Sequence, residues 1–103
     1  NLVLPYAQRA MLARSVENRI FTITSNRTGT ETGGLDAGTT LTFTGMSQVT
    51  APDMTVQLSA SRDREEVGVV EIDPSQADDK HVAELSHVLN DRRPGIYTRL
   101  TRE

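Results

Sequence analysis

Short β-branched segments recur along this sequence after Asn18, and this pattern limits the fold more than any other feature. Pro52-Asp53 is a tight-turn signal between two of these segments, because proline fixes the first corner of a turn. The pattern predicts one strand, a long loop and then a β meander, with a mostly buried last strand. The predicted strands lie at residues 20–25, 41–43, 47–50, 54–58 and 67–72.

An N-terminal helix is predicted before the strands. Residues 6–18 contain no Gly or Pro and are rich in good helix formers, and Pro5 occupies a favoured first helical position. Arg14 and Glu17 are three residues apart, which is close enough on a helix surface to form an ion pair. Such an exposed pair contributes little stability.

A second helix is predicted after the strands. Asp73 is placed to cap a helix that starts at Pro74, and apolar residues at helical spacing favour one amphipathic helix over 76–90. The tail at 96–100 alternates apolar and polar residues, which favours pairing with an extended segment.

Two connecting segments have distinctive compositions. The loop at 28–40 holds four of the seven glycines together with Thr and Asp, which suits either close approach to a ligand or a mobile surface loop. The charged residues 62–66 are expected to form a solvated connection between strands.

Charge and composition exclude several classes of protein. The chain has 11 Lys and Arg against 14 Asp and Glu, a net charge of −3, and no basic cluster. Binding to nucleic acid or to acidic membranes is therefore not expected. The length of 103 residues suits a single domain. The absence of Cys excludes disulfides and fits a reducing compartment, so we predict a cytoplasmic location.

Residue chemistry alone gives no evident reaction. The two histidines are His81 and His87, and no serine lies in a Gly-x-Ser-x-Gly turn, so a Ser-His-acid triad is not favoured. A metal site could be built from Asp78, Asp79 and His81. Side chains that are neighbours in a helical sequence point apart, however, so we interpret these residues as a solvated helix surface. We expect no metal and no cofactor.

Three motifs follow one another along the chain: RSVENRIFTITSNRTG at 14–29, FTGMSQVTAP at 43–52 and NDRRPGIY at 90–97. They resemble, in the same order, motifs of the nitrilase superfamily, the carbon-nitrogen hydrolases. The family patterns are Arg-Ala-x-Glu-Asn leading to Asn-Arg-x-Gly, then Phe-x-Gly-x-Ser-x-Ile-x-x-Pro-x-Gly, and finally Asp-Arg-Arg-Pro-x-x-Tyr. Ser15 replaces the commoner Ala, and Asp53 stands where Gly is usual. Neither difference removes a reactive side chain of the family pattern.

The resemblance implies an α+β fold that is the C-terminal portion of a four-layer α-β-β-α sandwich, with residues 1–103 as a single incomplete domain. It also implies an amidase-like hydrolase of non-peptide carbon-nitrogen bonds in amides, carbamoyl compounds or nitriles. In the family, the catalytic Cys, Glu and Lys precede this segment. Since this chain has no Cys and begins with Asn1, we expect a piece that is inactive alone. The alternative is a non-catalytic β-rich interaction module that retains the scaffold.

The resemblance also suggests roles for individual residues. Asn26 and Arg27 are the candidates for support of the substrate pocket, with simple fastening of the adjoining loop as the alternative. The family implies a homodimer, and the candidates for structural or dimer contacts are Arg14, Glu17, Arg92 and Tyr97. The other expected partner is the missing N-terminal part of the same protein. Family similarity favours an irregular segment with one short helix at 81–90, against the long helix that periodicity favours.

Overall fold

The computed structural model describes residues 6–33 and 38–97. Helix α1 runs from Ala7 to Asn18 and confirms the helix predicted over 6–18, whereas Pro5 lies outside the described residues. The helix ends at Arg19, which adopts a left-handed conformation (φ 50°) and donates its N–H to the Val16 carbonyl oxygen at 3.3 Å. None of the helices in this part of the chain has the length and apolar character needed to cross a membrane.

Short antiparallel strands make up the rest of the regular structure. The strands are β1 (Thr22–Thr24), β2 (Thr30–Thr32), β3 (Thr40–Thr42), β4 (Gln48–Thr50), β5 (Val56–Ser59), β6 (His81–Ala83) and β7 (Ser86–His87). Three of them form a sheet in the order β1-β4-β5, and the other four form two separate hairpins, β2-β3 and β6-β7. The strands predicted at 20–25, 47–50 and 54–58 are confirmed in shorter form, and the one predicted at 41–43 is confirmed with a shift of one residue. The described part of the chain is therefore α+β.

Helix α1 packs on a polar face of the three-stranded sheet. The hydroxyl oxygens of Ser15 on α1 and Thr22 on β1 are 2.8 Å apart. Thr22 is paired with Thr50, and Thr24 with Gln48, so these four side chains share the face that α1 covers. Gln48 Nε2 donates to Thr50 Oγ1 at 2.7 Å, and Thr50 is fully buried. Hydrogen bonds between side chains therefore hold the helix-covered side of the sheet together.

The opposite face of the sheet is apolar and partly open. Ile23 is paired with Val49, and Val49 with Leu58, which places these three side chains on the side away from α1. Val49 is buried, but Ile23 is 70% exposed. The sheet therefore presents apolar surface that nothing in the described residues covers at Ile23.

This open apolar surface leads us to expect that the isolated chain associates with itself. Light scattering on the purified chain over a dilution series measures the effect directly. Species larger than one chain are expected, and a stable compact monomer at high dilution would contradict the prediction.

The loop predicted at 28–40 is wrong in one respect, because it contains most of a β-hairpin. Strands β2 and β3 pair in the register Thr30 with Thr42 and Thr32 with Thr40. Threonine is β-branched and favours strands, and this local preference outweighs the glycines nearby. Gly29 and Gly33 take positive φ at the two ends of β2, where the backbone changes direction.

The buried strand predicted at 67–72 is also wrong. Within the part of the chain that the structure describes, these six residues form no backbone-backbone hydrogen bond and so are not a strand. Val67 is 92% and Val69 is 91% exposed. The strand-forming composition is present, but the neighbouring strand that would complete the hydrogen bonds is not among the described residues.

The helix start predicted at Asp73 is confirmed as a short 3₁₀ turn, Pro74–Ala77, whose first turn Asp73 caps. The amphipathic helix predicted over 76–90 is wrong, and so is the irregular segment with a short helix at 81–90. Strands β6 and β7 form a hairpin there, and Val88 N–H donates to the Lys80 carbonyl oxygen at 3.0 Å to close it. The tail begins with a 3₁₀ turn at Pro94–Ile96, and residues 98–100 lie outside the described residues.

The Asp73 cap predicts an acid-dependent contribution to stability. The side chain and backbone N–H of Ser75 hold the pKa of Asp73 below its ordinary value, since both bond to the carboxylate. A lowered folded-state pKa stabilises the fold above the ordinary pKa of the carboxyl, and this stability is lost as pH falls through the lowered value. NMR titration of the carboxyl carbons is expected to show the low pKa, and Ser75→Ala to raise it. An unchanged titration in that variant would contradict the assignment.

Candidate functional site

Asn26 connects the end of β1 to the segment at 44–47. Its side-chain Nδ2 donates to Thr44 Oγ1 at 2.9 Å and to the Gly45 carbonyl oxygen at 2.8 Å. Its Oδ1 accepts the backbone N–H of Arg27 at 2.9 Å, and its own N–H donates to Ser47 Oγ at 2.9 Å. The amide group therefore donates and accepts at once, and it holds neighbouring backbone in place.

Gly45 and Met46 form an unusual turn in this segment. Both residues have left-handed backbone, with φ of 55° and 59°, and Met46 is not a glycine, so this conformation is strained. The N–H of Gly45 donates to the Arg27 carbonyl oxygen at 2.7 Å, and that of Met46 donates to the Ser61 carbonyl oxygen at 2.9 Å. Gln8 on α1 donates to the Met46 carbonyl oxygen at 3.1 Å. Three parts of the chain therefore fix this turn.

A polar cleft of about 320 Å³ opens beside the Asn26 network. It is a solvent-open cleft lined by polar and charged groups, including both acids and bases. Its lining residues are Asn26, Arg27, Thr28, Gly45, Met46, Ser47, Ala60, Ser61, Arg64, Glu65 and Glu66. The cleft thus brings together residues that are far apart in the sequence, and it includes both residues predicted to support a pocket.

Arg27 links the cleft to the β2-β3 hairpin. Its guanidinium forms an ion pair with Glu31 on β2 and lies 4.2 Å from the centre of the Phe43 ring. A guanidinium over an aromatic face is attracted by the charge distribution of the ring. The side chain of Arg27 therefore braces the base of the hairpin, while its backbone groups bond to Asn26 and Gly45.

The segment at 61–66 forms the far wall of the cleft. The backbone N–H of Ser61 donates to the Glu66 carboxylate, and this bond lowers the pKa of Glu66. Arg64 Nη2 lies 3.9 Å from Glu66 Oε2. Residues 62–66 are exposed, as predicted, but they do not connect two strands, because residues 67–72 form none. Composition gave no sign that the segment borders a cleft.

Comparison with known proteins identifies the family. A family model described as carbon-nitrogen hydrolase matches residues 2–81, which is most of the chain. The chain belongs to the carbon-nitrogen hydrolase family. A protein named nitrilase from Pyrococcus abyssi (strain GE5 / Orsay) is 41% identical over 99 residues. That match covers 96% of this chain but 35% of the relative, so this carbon-nitrogen hydrolase chain spans about a third of the relative's length.

The other predicted residues of this carbon-nitrogen hydrolase chain lie away from the cleft lining. Arg14 Nη1 donates to Glu17 Oε2 at 3.1 Å, which confirms the predicted pairing, and both side chains are exposed. Arg92 Nε donates to the Leu89 carbonyl oxygen at 3.0 Å, and Tyr97 Oη accepts the backbone N–H of Arg93 at 3.0 Å. These contacts are local, and the dimer role of the four residues stays a prediction.

A second polar cluster joins the end of α1 to later segments. Arg19 donates to the carbonyl oxygens of Pro52 at 3.0 Å and Asp79 at 3.2 Å, and Lys80 Nζ donates to the Arg19 carbonyl oxygen at 2.8 Å. His81 Nδ1 lies 2.8 Å from Asp79 Oδ1. Throughout residues 6–33 and 38–97 there is no group of three potential metal ligands. The hydrogen bonds of Arg19 and Lys80 link the end of α1 to the segments at 52 and 79–80.

The two histidines meet although the sequence places them six residues apart. Strand pairing puts His81 opposite His87, and the ring centres are 4.7 Å apart in an edge-to-face arrangement. In a helix, these two side chains would lie on different faces, whereas the hairpin places them side by side. The backbone N–H groups of Leu89 and Asn90 both donate to His87 Nδ1, at 3.2 and 3.0 Å, so this ring supports the turn that follows.

Proposed function

We propose that this chain is the C-terminal portion of an amidohydrolase that cleaves non-peptide carbon-nitrogen bonds in amides, carbamoyl compounds or nitriles. We call the longer protein the intact protein. The observation that carries the proposal is the family match over residues 2–81, combined with a relative of which the chain spans 35%. A Cys-Glu-Lys site outside this chain supplies the reaction, since the chain has no Cys to act as nucleophile.

Within the intact protein, this chain supplies one wall of the substrate pocket. Asn26 positions the strained turn at Gly45 and Met46, and Arg27 braces the hairpin beside it. The cleft offers hydrogen-bonding groups of both kinds, which suits a polar amide or carbamoyl group. Asn26 and Arg27 act here as positioning residues, because their side chains are engaged with the protein itself.

The layers of the described structure support a sandwich. Helix α1 covers the polar face of the β1-β4-β5 sheet. On the opposite face, Gly68 lies against Leu58 of β5. The described residues thus give a helix on one face of a sheet and a non-strand segment against the other face, and we propose that the intact protein completes this arrangement as a four-layer α-β-β-α sandwich. We also propose a homodimer in the cytoplasm, with Arg14, Glu17, Arg92 and Tyr97 at or near the subunit contact.

Ammonia release from a panel of amides, carbamoyl compounds and nitriles tests the proposed reaction. The intact protein is expected to release ammonia from at least one class, and the chain alone from none. Ammonia release by the purified chain would overturn the proposal. An intact reading frame without Glu, Lys and Cys in family order would instead favour the non-catalytic interaction module.

A further inference from the structure

Met46 is held in a backbone conformation that favours glycine. Its φ is 59°, and left-handed backbone costs free energy for any residue with a Cβ. Its N–H donates to the Ser61 carbonyl oxygen at 2.9 Å, and its own carbonyl oxygen accepts Gln8 Nε2 at 3.1 Å. Two distant segments therefore maintain the strain at Met46, and strain that is maintained in this way is typical of binding and catalytic sites.

Met46 is also the one large apolar side chain among the described residues that line the cleft. Apart from the glycine, the other lining residues are polar or charged, except for Ala60 with its single methyl group. Met46 is 37% exposed, so it borders the cleft without being packed away. Its unbranched, flexible thioether chain adapts to apolar groups of different shape. The cleft therefore offers one apolar contact within a polar lining.

Met54 shows that local turn geometry does not explain Met46. Met54 also has left-handed backbone, with φ of 73°, but it lies in the tight turn between the paired strands β4 and β5. Its N–H donates to the Ala51 carbonyl oxygen at 3.0 Å, as expected in such a turn. Met46 instead lies between β3 and β4, which belong to separate sheets. No hairpin requires left-handed backbone at Met46.

We propose that Met46 is a specificity-determining residue of the substrate pocket, where its side chain contacts the hydrocarbon part of the substrate. This inference rests on the proposed function, because it takes the cleft to be one wall of that pocket. The polar lining suits the amide, carbamoyl or nitrile group, and Met46 supplies the apolar contact for the carbon chain attached to it. The left-handed backbone directs this apolar side chain into an otherwise polar cleft.

Kinetics on a homologous series of substrates tests the proposal. The series is taken from the class that the intact protein hydrolyses: straight-chain amides, nitriles or N-carbamoyl alkylamines with two to six carbons in the chain. We compare kcat/KM for ammonia release from the six-carbon and the two-carbon compound. Met46→Ala is expected to lower this ratio roughly 10-fold, because it removes apolar contact with about two methylene groups and burial of each is worth about fourfold.

The ratio separates a contact with substrate from a structural role. A loss of folded protein, or a general displacement of the pocket wall, lowers kcat/KM for all members of the series and leaves the ratio unchanged. Met54→Ala is the matched control, since it shortens the same type of side chain on left-handed backbone outside the cleft lining. This variant is expected to keep the ratio of the parent protein.

Met46→Gly keeps the test decisive if Met46→Ala folds poorly. Glycine adopts left-handed backbone without strain, so this variant removes the side chain and the strain together. The same fall in the ratio is expected. An unchanged ratio in a folded Met46 variant would overturn the proposal, and so would an equal fall in Met54→Ala. A ratio that rises would also overturn it, by showing that Met46 limits the length of the chain instead of contacting it.

The outcomes also separate this inference from the proposed function. An intact protein that releases ammonia with the same ratio in the parent and in the Met46 variants keeps the proposed reaction and overturns the role of Met46. An intact protein that releases ammonia from no amide, carbamoyl compound or nitrile overturns the proposed reaction, and the role of Met46 falls with it.

Discussion

Replacing Gly45 with alanine is expected to lower the free energy of unfolding by about 3 kcal/mol, which combines left-handed strain with steric overlap. A Cβ at this position would lie 2.3 Å from the Arg62 carbonyl oxygen and 2.8 Å from the Ser61 carbonyl oxygen. Both are backbone atoms, so no side chain can rotate away. The backbone at Gly45 also has φ of 55°, a conformation that disfavours any residue with a Cβ.

Gly29→Ala is the matched control for this prediction. Gly29 also has positive φ, at 87°, but an added Cβ would meet nothing within 4 Å. The control variant therefore measures the backbone strain alone, for which we expect about 1 kcal/mol. Urea denaturation of both variants in the intact protein gives the comparison. If both variants lose the same free energy of unfolding, the contact with Ser61 and Arg62 does not constrain Gly45.

The elements that local sequence specifies were predictable. Helix α1 follows from a run of helix formers, and β4 and β5 follow from β-branched residues on either side of the Pro52-Asp53 turn. The cap at Asp73 was also predictable, because a carboxylate before Pro74 suits the start of a helical turn. In each case, the residues that decide the structure are neighbours in the sequence.

The errors occurred where distant residues or local turns decide the structure. The period of the apolar residues at 76–90 suggests a helix, but hydrogen bonds from backbone N–H groups to the Asp79 and Asp91 carboxylates hold His81 and His87 in a hairpin. The composition of residues 67–72 predicts a buried strand, but composition does not show whether a neighbouring strand is present to pair with it. Both errors reflect the limited information in periodicity alone.

The candidate site was predictable only in part. Asn26 and Arg27 emerged from the resemblance to the family, whereas Gly45 and the wall at 61–66 were not identified as parts of a site. Two sequence signals point to these residues. One is a glycine, Gly45, directly after a predicted strand, and the other is the charged segment at 62–66, which is long enough to fold back toward that glycine. Neither signal says that the two segments meet, because that contact depends on how the β4-β5 pair folds back.

Asn26→Ala is expected to destabilise the intact protein by about 3 kcal/mol, because it removes three hydrogen bonds, two of them to the buried residues Thr44 and Gly45. The variant loses donors to Thr44 Oγ1 and the Gly45 carbonyl oxygen, and the acceptor for the Arg27 N–H. The strained turn at Gly45 and Met46 then loses one of its restraints. If this turn forms part of the pocket wall, kcat/KM is expected to fall roughly 10- to 100-fold, because displacing a positioned group in an active site slows the reaction by about that factor.

The same substitution at Asn18 gives the control that interprets this result. Asn18 Nδ2 donates to the Arg14 carbonyl oxygen at 3.0 Å on the exposed surface of α1, so Asn18→Ala is expected to change stability by no more than about 0.5 kcal/mol. Urea denaturation and steady-state kinetics of both variants separate two roles for Asn26. A large loss of stability with unchanged kcat/KM in the folded protein would assign Asn26 to fastening the segment at 44–47 and remove it from the pocket. Losses no larger than those of Asn18→Ala would contradict both roles, since the hydrogen bonds to Thr44 and Gly45 would then contribute nothing that other groups do not replace.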